Sequence, residues 1–154
     1  MKKLAVLFMF FSSTVLAANP GPENLKNLSL CFRLTSVQVK PETAVLITNL
    51  QKDIFKKVSI KLKAYRIPYI EKCDTSKEQI FFQVDTTQAG NGTLVYSLDM
   101  NIFEYDLKPR HVSIYSLGTF GISAYRGDEL GNKMIDAFSQ MIDDFAADYA
   151  TANP

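Results

Sequence analysis

The side chains able to do chemistry are few in this chain and stand far apart. Cys31 and Cys73 are its two cysteines and His111 its one histidine. Widely spaced residues of this kind match no zinc or haem pattern, which needs ligands at short, regular intervals. His111 with a nearby serine or carboxylate would make a small hydrolase, yet no G-x-S-x-G elbow offers a nucleophile. A thiol nucleophile paired with His111 requires a free thiolate. Export instead favours joining Cys31 to Cys73 in a disulfide, the alternative being two buried thiols. His111, beside Arg110, reads more simply as an exposed turn residue.

The stretch YSLGTFGISAYRGDELG, residues 115–131, carries four glycines ahead of a helix. A Walker loop needs G-x-x-x-x-G-K-[ST] and a dinucleotide loop G-x-G-x-x-G, and neither spacing is present. Arg126 would assist an anion at the helix start, but Asp128 and Glu129 already occupy that positive end. Gly118, Gly121 and Gly127 are therefore expected to act as hinges between the last strand and the last helix. Asp136, Asp143, Asp144 and Asp148 lie off that helix's apolar stripe, where a solvated face is a simpler reading than a calcium or glycosidase site.

Charge divides the two helices. Lys52, Lys56, Lys57, Lys61, Lys63 and Arg66 face only Asp53, whereas the last helix sets its acids against Lys133 alone. Side by side on one sheet face, the two would attract each other. The other reading is an anionic membrane surface met by the basic helix. Phe81, Val95, Phe103, Tyr105 and Tyr115 fall on the strand phase opposite the expected core. If helices cover one face only, these residues form an open, tyrosine-rich surface for a partner. A bulge would instead turn some of them inward.

The elements that must place these groups follow from periodicity. Residues 28–39 are extended, with a phase change near Thr35-Ser36 that marks a bulge or break. A turn at 41–44 leads to a helix in which Thr48 and Gln51 fit a capping box. Leu50, Ile54, Val58 and Leu62 recur at helical spacing until Pro68 forbids continuation. Residues 67–70 form a short strand, parallel to the first. Three antiparallel strands follow at 79–86, 93–106 and 111–117, turning at Asn91-Gly92 and at 107–110. Met134, Phe138, Met141, Phe145 and Tyr149 then stripe a final helix, which Asp128 is placed to cap. The fold class is α+β: a β-α-β unit, an antiparallel meander and a C-terminal helix, with two helices on one face of a mixed sheet.

The N-terminus, MKKLAVLFMFFSSTVLA, has a basic start, a short apolar run and a small-residue end. It reads as a signal peptide over 1–17, followed by a flexible lead-in over 18–27 and a single domain over 28–154. The apolar run is shorter than the roughly 20 residues a membrane span needs. The expected location is periplasmic or secreted, with no transmembrane segment in the mature chain. The formal charge of +1 falls to −1 when Lys2 and Lys3 leave with the leader, so no overall field steers the chain to nucleic acid. Nothing in the sequence calls for a cofactor.

The closing residues, GTFGI…DELGNKMIDAFSQMIDDFAADYATANP, resemble a group of small exported bacterial proteins of unassigned function. That group combines a Gly-rich strand end, an amphipathic helix with D-x-F-x-x-x-Y and a terminal N-P. Here these are Asp144-Phe145, Tyr149 and Asn153-Pro154. The helix leading into Tyr65-Arg66-Ile67-Pro68 is similar to the group's first helix and next strand, so the likeness reaches from Thr48 to the end. The arrangement is also similar to small α+β domains of envelope-assembly proteins. It implies an exported fold and transfers no catalytic residue. The reading that results is a non-enzymatic module binding a protein or envelope component, with Phe81, Phe103, Tyr105 and Tyr115 as the contact set.

Overall fold

The computed structural model describes residues 22–73, 78–89, 93–105 and 111–154. The expected leader, the first four residues of the lead-in and both expected hairpin turns lie outside the described residues, as do the side chains of Tyr105 and His111. A 3-10 turn at Pro22–Leu25 precedes strand β1 (Leu30–Cys31), and a second at Leu34–Ser36 separates β1 from β2 (Val37–Val39). The phase change seen in the sequence is this turn. Helices α1 (Pro41–Leu46) and α2 (Leu50–Ala64) then cross to β3 (Tyr69–Ile70). Strands β4 (Glu78–Gln88), β5 (Leu94–Tyr105) and β6 (His111–Ser123) and helix α3 (Gly127–Ala152) complete the chain.

The strands form one mixed sheet in the order β3-β1-β4-β5-β6, with β2 also on β4. β1 runs parallel to both β3 and β4, while β5 is antiparallel to its two neighbours, β4 and β6. The α+β class expected from the sequence is the fold found.

Alternation decides which face is buried. Ile80, Phe82 and Val84 of β4 and Leu94, Leu98, Met100 and Ile102 of β5 point to the helices and lose all or nearly all contact with water. Leu50, Ile54, Val58 and Leu62 of α2 meet them, with Leu130, Met134, Phe138, Ile142 and Phe145 of α3. Each such side chain contributes roughly 1.5–3 kcal/mol by leaving water. Aromatic rings link the layers: Phe55 to Phe32 at 5.0 Å, Phe32 to Phe82 at 5.5 Å and Phe82 to Phe138 at 5.3 Å.

Local chemistry departs from expectation at both helix starts. Residues 41–46 are helical, opened by Pro41, whose missing N–H costs nothing there. The chain then turns at Asn49, in the left-handed region at φ 63°, which Asn tolerates better than most residues. Thr48 therefore caps nothing. Gln51 instead donates through Nε2 to the carbonyls of Val37 (2.8 Å) and Leu34 (3.3 Å), securing the break between β1 and β2. At α3 the N-cap is Arg126, and Asp128 sits within the first turn without a capping bond.

The glycine-rich stretch is mostly strand. β6 continues to Ser123, so Gly118 and Gly121 belong to it and only 124–126 connect to α3. A Cβ on Gly121 would fall 2.4 Å from the Tyr96 ring, so this position needs glycine for a neighbouring ring to lie over it. Gly131 is likewise a contact point, because a Cβ there would sit 2.7 Å from Ile47 Cγ2.

Candidate interaction surface

The sheet's second face carries no helix among the described residues. Strand register lays its side chains out in rows. Cys31, Gln79 and Phe103 share one row, and Phe81, Asn101 and Ser116 the next. Gln83, Asp99 and Gly118 follow, then Asp85, Ser97 and Phe120, and finally Thr87, Val95 and Ile122. Two apolar patches result, separated by a polar strip.

At the first patch Phe81 and Phe103 pack edge to face at 5.7 Å, each half-buried. Beside them the Cys31–Cys73 disulfide joins β1 to the segment after β3 across a Cα–Cα distance of 5.3 Å, within the range such bonds span. The expected pairing is the one present.

Tyr115 corrects the sequence reading. Ile102 pairs with Tyr115 but Phe103 pairs with Ser113, leaving Ile114 as an extra residue in a bulge. That insertion carries Tyr115 to the helix-covered face, where it is 3 % exposed and donates its hydroxyl to Asp148 at 2.8 Å. Burial foremost, and then this bond, pushes the hydroxyl's pKa well above the ordinary tyrosine value. Tyr115 is thus a core residue and leaves the contact set. Of the four residues of the expected contact set, the structure brings Phe81 and Phe103 together and buries Tyr115, while the side chain of Tyr105 lies outside the described residues, as does that of His111, the candidate of the hydrolase reading.

The far patch is the one sequence reasoning missed. Phe120 is 83 % exposed, Ile122 73 % and Val95 39 %. Reading 118–127 as a loop hid the first two. The signal available was length: β5 spans twelve residues, and its hairpin partner, counted back from the 107–110 turn, must run well past Leu117.

The polar strip is well tied. Asp85 Oδ2 meets Lys40 Nζ at 2.6 Å and accepts from Gln83 Nε2 at 3.2 Å. Asp85 Oδ1 is buried with no partner among the described residues. No cluster of three metal-ligating side chains is present among those residues.

The charged helices do lie together. Lys61 Nζ meets Asp143 Oδ1 at 2.5 Å and donates to the Ser139 carbonyl at 3.0 Å, while the Tyr65 hydroxyl donates to the same carboxylate. Lys52, Lys56 and Lys63 remain exposed on the outer side of α2, with Ile60 exposed among them. A cleft of about 570 Å³ opens at the N-termini of α2 and α3, between Leu50 and Gly131. Asp53 and Asp128 line it, so the helix ends there already face carboxylates.

The terminal pattern has a structural role. Phe145 stacks between Tyr115 at 5.5 Å and Tyr149 at 5.9 Å. The Asn153 amide donates to the carbonyls of Leu25 and Tyr149 and accepts from the Asn27 backbone, clasping the described start of the chain to its end. Among the described residues no helix is long and apolar enough to cross a membrane.

No known family and no curated protein matches the chain. Among solved structures, a minor lipoprotein from Acinetobacter baumannii is similar at 9 % identity and a TM-score of 0.42, over 80 % of this chain and 90 % of that one. An overlap this loose carries no function across.

Proposed function

We propose that this chain is an exported, non-enzymatic α+β module that binds a protein partner or envelope component through the open face of its sheet. The observation that carries the reading is the patch of Val95, Phe120 and Ile122. Two large apolar side chains stand mostly in water, set apart by a polar strip from the half-buried Phe81–Phe103 pair. Burying them in a partner would recover the hydrophobic free energy that folding leaves unused. The disulfide fits an oxidising compartment outside the cytoplasm, which agrees with the leader-like N-terminus.

The test is affinity capture from envelope extract with three forms: the unaltered chain, Phe120→Ser with Ile122→Ser, and Lys52→Ala with Lys56→Ala. Proteins retained by the first and third forms but lost by the second support the reading. Equal recovery by all three overturns it. Loss only in the lysine variant moves the contact to the basic helix and its anionic surface.

A further inference from the structure

The outer edge of β6 points to self-association: we infer that two copies of this chain pair antiparallel along residues 116–122, with the two-fold axis at Thr119. This concerns the strand's main-chain edge and stands apart from the face-binding reading above. β6 is the last strand of the sheet, and no strand pairs with its outer side among the described residues. Its first half is guarded, since Asn24 Nδ2 donates to the Ile114 carbonyl at 3.3 Å from the adjoining 3-10 turn. From Ser116 to Ser123 no backbone hydrogen bond reaches the outer edge among the described residues. Unpaired edges of this length are normally blunted by charge, proline or a covering element. Here no charged residue and no proline occurs anywhere in His111–Ser123.

The register follows from geometry. In antiparallel pairs each residue faces one of the same hydrogen-bonding parity, so a two-fold axis between identical strands passes through a residue. An axis at Gly118 would drive Ile122 onto Ile114, where Asn24 sits. An axis at Phe120 would set that ring directly against its own copy. An axis at Thr119 uses the open stretch in full and matches large to small: Phe120 faces Gly118, Ile122 faces Ser116, and Leu117 faces Gly121. The two Phe120 side chains become diagonal neighbours, at about 7–8 Å between Cα atoms, within reach for aromatic rings. The two exposed patches then merge into one apolar strip on a continuous twelve-stranded sheet, six strands from each copy.

The chain produced from its full sequence, purified with its disulfide intact, is sedimented over a range of concentrations. Thr119→Cys and Ser116→Cys are each oxidised mildly and read on non-reducing gels. Directly opposed residues lie about 4.5–5.5 Å apart at Cα, which suits a disulfide. Ser116 and its copy would be offset by six residues, about 20 Å. The expected result is concentration-dependent dimer for the unaltered chain and efficient cross-linking of Thr119→Cys only. A monomer throughout, equal cross-linking of both variants, or cross-linking of Ser116→Cys alone overturns the proposal.

Discussion

The two faces of the sheet are made by the same strands, one residue to each side in turn, yet they solve different problems. On the helix side the middle rows are closed: Ile80, Phe82, Leu98 and Met100 reach no water, and the buried Tyr115 has Asp148 for its hydroxyl. On the other side the rows alternate between ordered polar groups and apolar groups left in water. Phe82 and Phe120 show the contrast best, the same side chain at 0 % and 83 % exposure. Stability resides on one face and unsatisfied surface on the other. That separation lets a partner be gained or lost without unfolding the domain.

The sharpest way to break the comparison is to truncate both phenylalanines. Phe82→Ala removes a ring packed against Phe32 and Phe138 and is expected to cost about 3–5 kcal/mol. Phe120→Ser is expected to stay within about 0.5 kcal/mol of the unaltered chain, as for surface positions generally. Urea unfolding monitored by circular dichroism gives both values. Similar losses for the two would mean the open face is covered in solution.

The disulfide comes next, because by register Cys31 lies on the open face and gives it a covalent anchor. The bond closes a loop with a sequence separation of 42 residues. Cys31→Ala with Cys73→Ala is expected to lose about 2–4 kcal/mol in the same assay. An unchanged midpoint would show that β1 and β3 hold together through packing alone.

How much of this was readable beforehand differs between the faces for the same physical reason. Helix-side positions are fixed by many mutually consistent contacts, so the period-2 pattern of Ile80, Phe82, Val84, Leu98 and Met100 and the stripes of α2 and α3 identify them directly. The α+β class follows. Open-face positions depend on register, and one inserted residue reverses phase. Ile114 is that residue, and nothing in SIYSL announces it, so the sequence phase alone puts Tyr115 on the wrong side. Phe120 and Ile122 are not legible as strand residues because glycines at 118 and 121 resemble loop chemistry, and only the fold lays Tyr96 over Gly121. Thr48 and Gln51 satisfy the capping pattern, but tertiary demand for a donor at Leu34 and Val37 takes the Gln51 side chain elsewhere.

A smaller effect tests whether Tyr115 belongs to the closed face energetically as well as geometrically. Tyr115→Phe keeps the ring against Phe145 and removes only the hydroxyl bond to half-buried Asp148. A loss of about 1 kcal/mol is expected. Spectrophotometric titration of the folded chain should also show a late-ionising tyrosine component to which Tyr115 contributes, and that component should shrink in the variant.

The smallest effect belongs to the helix pair that covers the closed face. The Lys61 bond foremost, and then the Tyr65 bond, hold the Asp143 carboxyl below its ordinary value of 3.8, with partial burial opposing them. The folded state thus binds this proton less readily than the unfolded chain does. The resulting stabilisation is fully present above that ordinary value and is lost as pH falls through the lower folded value. The Tyr65 hydroxyl is raised by the same contact, so its share is present below 10.0 and disappears as pH rises through its higher folded value. Both shifts describe one cluster and are not added. Because Asp143 and Lys61 keep side-chain exposures of 34 % and 20 %, solvent screens the pair, and about 0.2–1 kcal/mol is its expected worth. Asp143→Asn should therefore trail the unaltered chain slightly at neutral pH. The gap should close on acidification below the carboxylate range and shrink at high salt. If it persists in acid, the α2–α3 contact rests on packing, and the opposite charges of the two helices contribute solubility alone.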